Sequence, residues 1–129
     1  MKYLGVDYGD SKVGLAIGDS ETGLALPYKI IKNAGWEKLF SNLADIIRLE
    51  NIESVIVGWP INIKAGETEQ TRKVKSFLAE FKTRHPDLSI ETNDERFSSQ
   101  EAQKLGAGSR DDDVAAMLML QNYLDANKI

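Results

Sequence analysis

Three groups of acidic residues stand where structural elements are expected to end or begin. Asp7 closes a short apolar segment, Asp94-Glu95 follows an alternating segment, and Asp111-Asp112-Asp113 precedes an apolar run. Clustered carboxylates repel one another unless cations neutralise them, and their oxygens suit Mg²⁺ or Mn²⁺. Two such ions can activate a water and stabilise the leaving oxygen of a phosphodiester. The residue types therefore indicate metal-dependent phosphodiester hydrolysis, provided that the fold brings the groups together.

Each acidic group also has a simpler interpretation. Asp7 could merely end a strand, and Asp94-Glu95-Arg96 could form a surface turn with a local ion pair. The aspartate triplet could complement a helix N-terminus, where negative charge is favoured. The joint pattern is less expected by chance than any one of its members.

Hydrophobic periodicity predicts the elements that must position these acids. Strands are expected at residues 3–7, 13–18, 23–31 (an edge or irregular strand, because it contains Pro27), 54–58 and 88–92. Helices are expected at residues 37–50, 68–84, 98–105 (with a Ser98/Glu101 capping box) and from a cap at Ser109 through Leu124. Three strands followed by alternation predict an α/β fold, with a mixed five-stranded sheet and helices on both faces. If the fourth strand lies between the first and fifth, Asp7 and Glu95 start about 10 Å apart at one sheet edge.

Length and composition limit the classes of protein. The 129 residues suit one domain spanning 1–129, and the absence of cysteine excludes a disulfide scaffold and a thiolate site. No signal peptide or membrane-spanning run is evident, so a soluble cytoplasmic protein is expected. The net charge of −4 argues mildly against nucleic acid. Residues 64–84 are nevertheless locally basic, which indicates either a phosphate-binding surface or a solvated helix face.

Four segments resemble the motifs of the YqgF family, in family order and over nearly the whole chain. They are Gly5-Val6-Asp7-Tyr8-Gly9 through Ala16, Val57-Gly58-Trp59-Pro60-Ile61-Asn62 with Gly66, Asp94-Glu95-Arg96-Phe97-Ser98-Ser99, and Asp112-Asp113-Val114-Ala115-Ala116 through Leu124. The resemblance implies a ribonuclease H-like fold and a relation to RuvC-type Holliday-junction resolvases. It also implies a nuclease that matures the 5′ end of pre-16S ribosomal RNA.

The resemblance carries Asp7 and Glu95 over as catalytic, metal-binding residues. It selects Asp112 as the third ligand, because that residue stands three positions before an Ala-Ala pair. Asp113 is the alternative, since it shares a helical face with Ala116 and Leu120. The expected cofactor is Mg²⁺ or Mn²⁺. The candidate substrate contacts are Lys12, Asn62, Arg72, Lys75, Arg96 and Arg110.

Three departures from the family bear on substrate binding. Asp10 and Ser11 stand where the family commonly has a Thr-Lys pair, so that Lys12 is the only basic residue of that loop, and it is expected either to contact phosphate or to be a solvated turn residue. The segment before the last helix is short, so that Arg110 stands nearly alone; this either weakens the nucleic-acid hypothesis or shifts binding to the Arg72–Lys75 helix. Trp59 replaces a usual leucine and is expected either to pack or to stack on a base.

The leading hypothesis is a metal-dependent nuclease acting on structured nucleic acid, either pre-ribosomal RNA or a DNA four-way junction. A junction resolvase needs two active sites and hence a homodimer, whereas RNA trimming is compatible with a monomer. The second hypothesis is a non-catalytic protein that binds nucleic acid or the ribosome. A third, a nucleotide-phosphate binder with an Asp-x-Gly turn, would require a second domain.

Overall fold

A computed structural model describes residues 1–59, 68–94 and 112–127 of the chain. The described elements, in chain order, are β1 (Lys2–Tyr8), β2 (Lys12–Asp19), β3 (Leu24–Lys32), α1 (Trp36–Leu49), β4 (Ser54–Trp59), α2 (Glu69–Arg84), β5 (Ser89–Asp94) and α3 (Asp112–Ala126). Their order agrees with the sequence prediction. The short helix predicted at residues 98–105 and its cap lie outside the described residues.

The strands form one mixed sheet with the order β3-β2-β1-β4-β5. The pairs β1/β2 and β2/β3 are antiparallel, whereas β1/β4 and β4/β5 are parallel. The fourth strand therefore lies between the first and fifth, which is the condition that the sequence argument required. Strand β3 is an edge strand, as Pro27 predicted, and its pairing with β2 shifts register between Leu15 and Ala16.

Each face of the sheet buries its own core. Helices α1 and α2 cover one face, where the aromatic rings of Phe40, Phe77 and Phe81 meet β-strand residues such as Leu4 and Val55. Helix α3 covers the other face with a smaller core. Successive strand residues point to opposite faces, so the apolar runs of β1 and β4 supply both cores. The prediction of helices on both faces is confirmed.

Some boundaries differ from the sequence prediction. The alternating pattern of β5 suggested an end at residue 92, but parallel pairing with β4 continues to the pair Trp59 and Asp94. Asp94 is therefore the last residue of β5. Thr68, expected inside the second helix, is instead its N-cap and accepts a hydrogen bond from the backbone N–H of Thr71. No helix among the described residues is long and apolar enough to cross a membrane.

Candidate active site

Asp7 lies near the carboxyl end of the central strand β1 and faces helix α3. Its neighbours Val6 and Tyr8 both pack into the core on the opposite face, and the Tyr8 ring stacks on Phe77 with centroids 4.4 Å apart. Because side chains alternate along a strand, these two anchors direct the half-buried Asp7 side chain to the α3 face.

Helix α3 runs along β1 in the direction that brings its N-terminus to Asp7. The rings of Tyr3 and Tyr123 are 5.7 Å apart, and a Cβ placed on Gly5 would lie 3.0 Å from Leu120 Cβ and 3.2 Å from the carbonyl oxygen of Ala116. From Gly5 to Asp7 the strand advances by two residues, or about 6.7 Å. That distance is the length of about four to five residues of helix. Asp7 therefore faces the first turn of α3, where the helix dipole favours negative charge.

Close contact between α3 and the sheet depends on small residues in the strands. Besides Gly5, Gly18 of β2 faces α3 closely: a Cβ there would lie 2.9 Å from Leu120 Cδ2 and 3.0 Å from Leu124 Cδ1, so the ends of both leucine side chains would have to move. Neither glycine was assigned a role from the sequence. Gly5, which meets a Cβ and a backbone oxygen of α3, sets the distance between the sheet and α3, and thereby the position of the helix start relative to Asp7.

The turn between β1 and β2 is tied to neighbouring elements by polar contacts. Gln70 of α2 donates to the carbonyl oxygen of Tyr8 at 3.0 Å, and the Asn33 side chain donates to that of Gly9 at 2.9 Å. Lys73 Nζ lies 2.9 Å from Asp10 Oδ2. This hydrogen bond raises the pKa of Lys73 above its usual value, so the ammonium stays charged. The turn that follows Asp7 is therefore positioned from both sides.

The turn also requires a glycine. A Cβ on Gly9 would lie 2.6 Å from the carbonyl oxygen of Lys12, closer than any side chain can approach. Gly9 thus allows the chain to reverse tightly between Asp7 and Lys12. Residues Asp7 to Lys12 line an open depression of about 250 Å³ at this edge of the sheet.

Asn93 of β5 is a polar residue at the same edge that the sequence analysis missed. It pairs in register with Gly58 of β4, and its side-chain amide donates to the carbonyl oxygen of Met119 at 3.1 Å. Asn93 therefore shares the α3 face with Asp7 and ties α3 to β5. Its position just before Asp94-Glu95 was the signal that could have identified it.

The structure describes only part of the predicted acidic set. Asp112 is the first residue of α3, at the end of the helix that Asp7 faces. The Asp113 carboxylate is half-buried and accepts a hydrogen bond from the backbone N–H of Val114 at 2.9 Å. Asp112 and Asp113 stand four and three residues before the buried Ala116. Both helix positions are therefore one turn before the residue that contacts β1. Glu95 lies outside the described residues, one position beyond the end of β5.

The predicted substrate contacts are distributed over both faces. Lys12 is exposed at the start of β2. Arg72 and Lys75 are exposed on α2, which covers the face opposite to Asp7, and Arg72 lines an open cavity of about 310 Å³ with Tyr8 and Trp36. Asn62, Arg96 and Arg110 lie outside the described residues. Trp59 is half-buried against the core beneath α1 and α2, as its packing interpretation predicted.

The donors at the sheet edge suit a hard cation, although the described side chains do not form a complete site. Among described residues, no three carboxylate or histidine side chains are close enough to hold one ion. Asp7 supplies a carboxylate oxygen in a partly buried position beside a helix start. Oxygen donors of this kind match the preference of Mg²⁺ and Mn²⁺, and the other two predicted ligands are the side chains of Glu95 and Asp112.

The mixed sheet, its strand order and its helix-covered faces define a ribonuclease H-like α/β fold. The structure is similar to that of RuvC from T. thermophilus in complex with a Holliday junction substrate, with a TM-score of 0.67 and 14% sequence identity. The similarity covers 98% of this chain and 94% of that one. The fold predicted from the sequence is thereby confirmed.

Sequence comparison then places the chain in a family. Residues 1–126 match the family described as "RuvX: Holliday junction resolvase", and the chain belongs to that family. It is 35% identical to the "Putative pre-16S rRNA nuclease" of Maridesulfovibrio salexigens, over 96% of this chain and 98% of the relative. It is 37% identical to the protein of the same name from Bordetella petrii, over 95% and 94%. The resemblance to the YqgF family is confirmed.

Proposed function

We propose that this chain is a metal-dependent cytoplasmic nuclease that hydrolyses phosphodiester bonds near the 5′ end of pre-16S ribosomal RNA. The observation that carries the proposal is the position of Asp7, which lies at the carboxyl end of the central parallel strand and faces the first turn of α3. In open α/β sheets this edge is the usual ligand site. The names of the relatives supply the substrate class.

The proposed catalytic residues are Asp7, Glu95 and Asp112, with Asp113 as the alternative third ligand. Their carboxylates would hold Mg²⁺ or Mn²⁺, which when bound supplies a Lewis acid and lowers the pKa of water. The chain itself positions Asp7 by anchoring Val6 and Tyr8 in the opposite core. The close packing of α3 on Gly5 also sets where the first turn of α3 lies relative to Asp7.

The proposed substrate contacts around this site are cationic and polar side chains. Lys12 lies at the depression beside Asp7, and Arg96 follows Glu95 directly in the chain. Arg72 and Lys75 would extend the surface along α2, while Asn62 and Arg110 complete the proposed set. Contacts of this kind hold phosphates and fix the register of a nucleic acid without reading its bases.

A second candidate is resolution of DNA four-way junctions. The description of the matching family and the fold shared with a junction-bound RuvC favour it. Symmetric cleavage of a junction requires two active sites, and therefore a homodimer, whereas trimming of an RNA end is possible for a monomer. The preferred substrate and the oligomeric state in solution separate the two candidates.

The test compares cleavage of a labelled pre-16S 5′ leader and a labelled four-way junction, with Mn²⁺ or with EDTA. Asp7→Asn should reduce the Mn²⁺-dependent rate by more than about 100-fold, because loss of even an outer-shell partner of a metal ligand reduces activity 10–100-fold. The matched control is Asp19→Asn, which removes a carboxylate at the other end of β2 and should leave the rate unchanged. Equal cleavage by wild type and Asp7→Asn would refute the catalytic assignment. Binding without cleavage by either protein would support a non-catalytic binding protein that acts on nucleic acid or the ribosome.

A further inference from the structure

Two lysines face each other across adjacent strands on the same sheet face as Asp7. Lys12 of β2 and Lys32 of β3 are partners in the antiparallel register. Their neighbours Val13 and Ile31 both point into the core beneath α1 and α2, so by alternation the two lysines point to the α3 face. Directly opposed residues have Cβ atoms about 4.5–5.5 Å apart, which places two ammonium groups within reach of one anion.

Neither lysine of the pair has an ion-pair partner within 4 Å in the part of the chain that the structure describes. Both lysines are exposed. The acid closest to Lys12 in sequence is Asp10, but its Oδ2 atom lies 2.9 Å from Lys73 Nζ instead. Like charges directly opposite in a sheet are destabilising, and an anion bound between the two ammonium groups would offset that repulsion.

The pair lies immediately beyond Asp7 along the sheet. Asp7 is the register partner of Gly14, and Lys12 is two residues before Gly14, about 6.7 Å further along β2. Lys32 lies one strand further out. Helix α3 begins at the level of Asp7, so its described residues do not extend over the lysines. An extended polyanion that lies across this end of β1, β2 and β3 would therefore contact both lysines as well as reach Asp7.

We propose that Lys12 and Lys32 form a two-lysine site for a backbone phosphate that neighbours the phosphate at Asp7. The inference deepens the proposed function and rests on Asp7 marking the cleavage site. Binding of the phosphate relieves the repulsion between the two ammonium groups. It also fixes which linkage of the nucleic acid lies at the carboxylates. Lys32 is thus a positioning residue contributed by the edge strand, and Lys12 is its partner.

The matched control for Lys32 is Lys29 on the same strand. Lys29 pairs with Leu15, whose side chain is buried in the core beneath α1 and α2, so Lys29 belongs to the opposite face. Its ammonium lies 5.4 Å from the centroid of the Tyr28 ring. Lys29→Ala and Lys32→Ala therefore remove the same charge from the same strand, but on opposite faces of the sheet.

The experiment measures binding of a labelled pre-16S 5′ leader and a labelled four-way junction in EDTA, by fluorescence anisotropy, from about 50 to 200 mM salt. Lys32→Ala should weaken binding roughly fivefold, the effect of one lysine near an anionic surface. The slope of log K against log salt should fall by about 0.7 to 0.9, the value for one lost phosphate contact. Lys29→Ala should change neither quantity by a comparable amount. The Tm of Lys32→Ala should equal or exceed that of wild type, and Lys32→Gln serves as a second variant.

The outcomes separate this inference from the proposed nuclease function. If Lys32→Ala and Lys32→Gln match Lys29→Ala in affinity and salt slope, the two-lysine site is refuted, whatever Asp7→Asn does to cleavage. If Lys32→Ala lowers the slope while Asp7→Asn leaves cleavage intact, the phosphate site holds and the catalytic assignment fails. Asp7→Asn should retain the wild-type salt slope, because it removes no cation.

Discussion

Replacing Gly5 by alanine tests whether the packing of α3 on β1 positions the active site. The added Cβ would lie 3.0 Å from Leu120 Cβ and 3.2 Å from the carbonyl oxygen of Ala116. Carbon atoms in ordinary contact are about 3.5–4.0 Å apart. A side-chain end could rotate away, but a Cβ and a backbone oxygen move only with the helix. Helix α3 must therefore move outward by a few tenths of an ångström.

The shift should affect both stability and activity. Overpacking of this kind costs about 1–3 kcal/mol of the free energy of unfolding. The moved element begins with Asp112, which must act together with Asp7 in the proposed mechanism. A misplacement of about 1 Å can reduce a rate by 10²-fold, so the smaller shift in Gly5→Ala should lower the cleavage rate by roughly severalfold under conditions in which the variant remains folded.

The assay combines urea unfolding with Mn²⁺-dependent cleavage at a temperature where the variant is folded. The control is Gly23→Ala in the β2–β3 turn, where φ is 71° and an added Cβ would have no atom within 4 Å apart from those of its chain neighbours. Left-handed backbone costs a non-glycine residue about 1–2 kcal/mol, so the control should lose similar stability but retain activity. Wild-type cleavage by folded Gly5→Ala, or equal loss of activity in both variants, would refute the reasoning.

Two further predictions concern the face covered by α3. Burial, followed by the 2.5 Å hydrogen bond to Glu91, raises the pKa of Tyr123. The phenol therefore ionises at lower pH in the unfolded chain than in the folded one. The stabilisation is fully present below about pH 10 and should be lost as the pH rises above it, so the free energy of unfolding, measured by urea titration, should fall with pH in wild type and fall less in Tyr123→Phe. An equal fall in both proteins would contradict the prediction. Gln121 donates to the carbonyl oxygen of Gly23 at 2.7 Å and accepts from the backbone N–H of Ala25 at 2.8 Å. Gln121→Ala should therefore lose about 1–3 kcal/mol of unfolding free energy, and an unchanged urea midpoint would show that water replaces both bonds.

The sequence predicted the strands and the location of Asp7 because both depend on local patterns. Apolar runs that end in a turn locate strands, and Asp7 comes directly before such a turn. The mixed sheet could be predicted because the chain begins with three consecutive strands, which pair antiparallel, and continues with strands that alternate with helices, which pair parallel. The assignment of Asp112, in contrast, came from family resemblance, since helical spacing alone left Asp113 equally placed.

The features that were missed depend on pairs of elements rather than on one segment. The need for a small residue at position 5 appears only when α3 lies across the strands. Lys32 was not predicted as a substrate contact, because its position opposite Lys12 depends on the register between β2 and β3. Register depends on how two strands meet and on the irregularity beside Pro27, neither of which hydrophobic periodicity specifies.

The acidic net charge of −4 is compatible with a polyanionic substrate because the charges are unevenly placed. Several described acids away from Asp7 are already paired, as in the contact of Glu37 with Arg84 at 2.8 Å. Charges more than about 8–10 Å apart in solvent are largely screened at physiological salt. A phosphate approaching Asp7 therefore responds to its nearest neighbours, which include Lys12 and Lys32. The local arrangement at the end of β1, not the average over the chain, determines whether nucleic acid binds there.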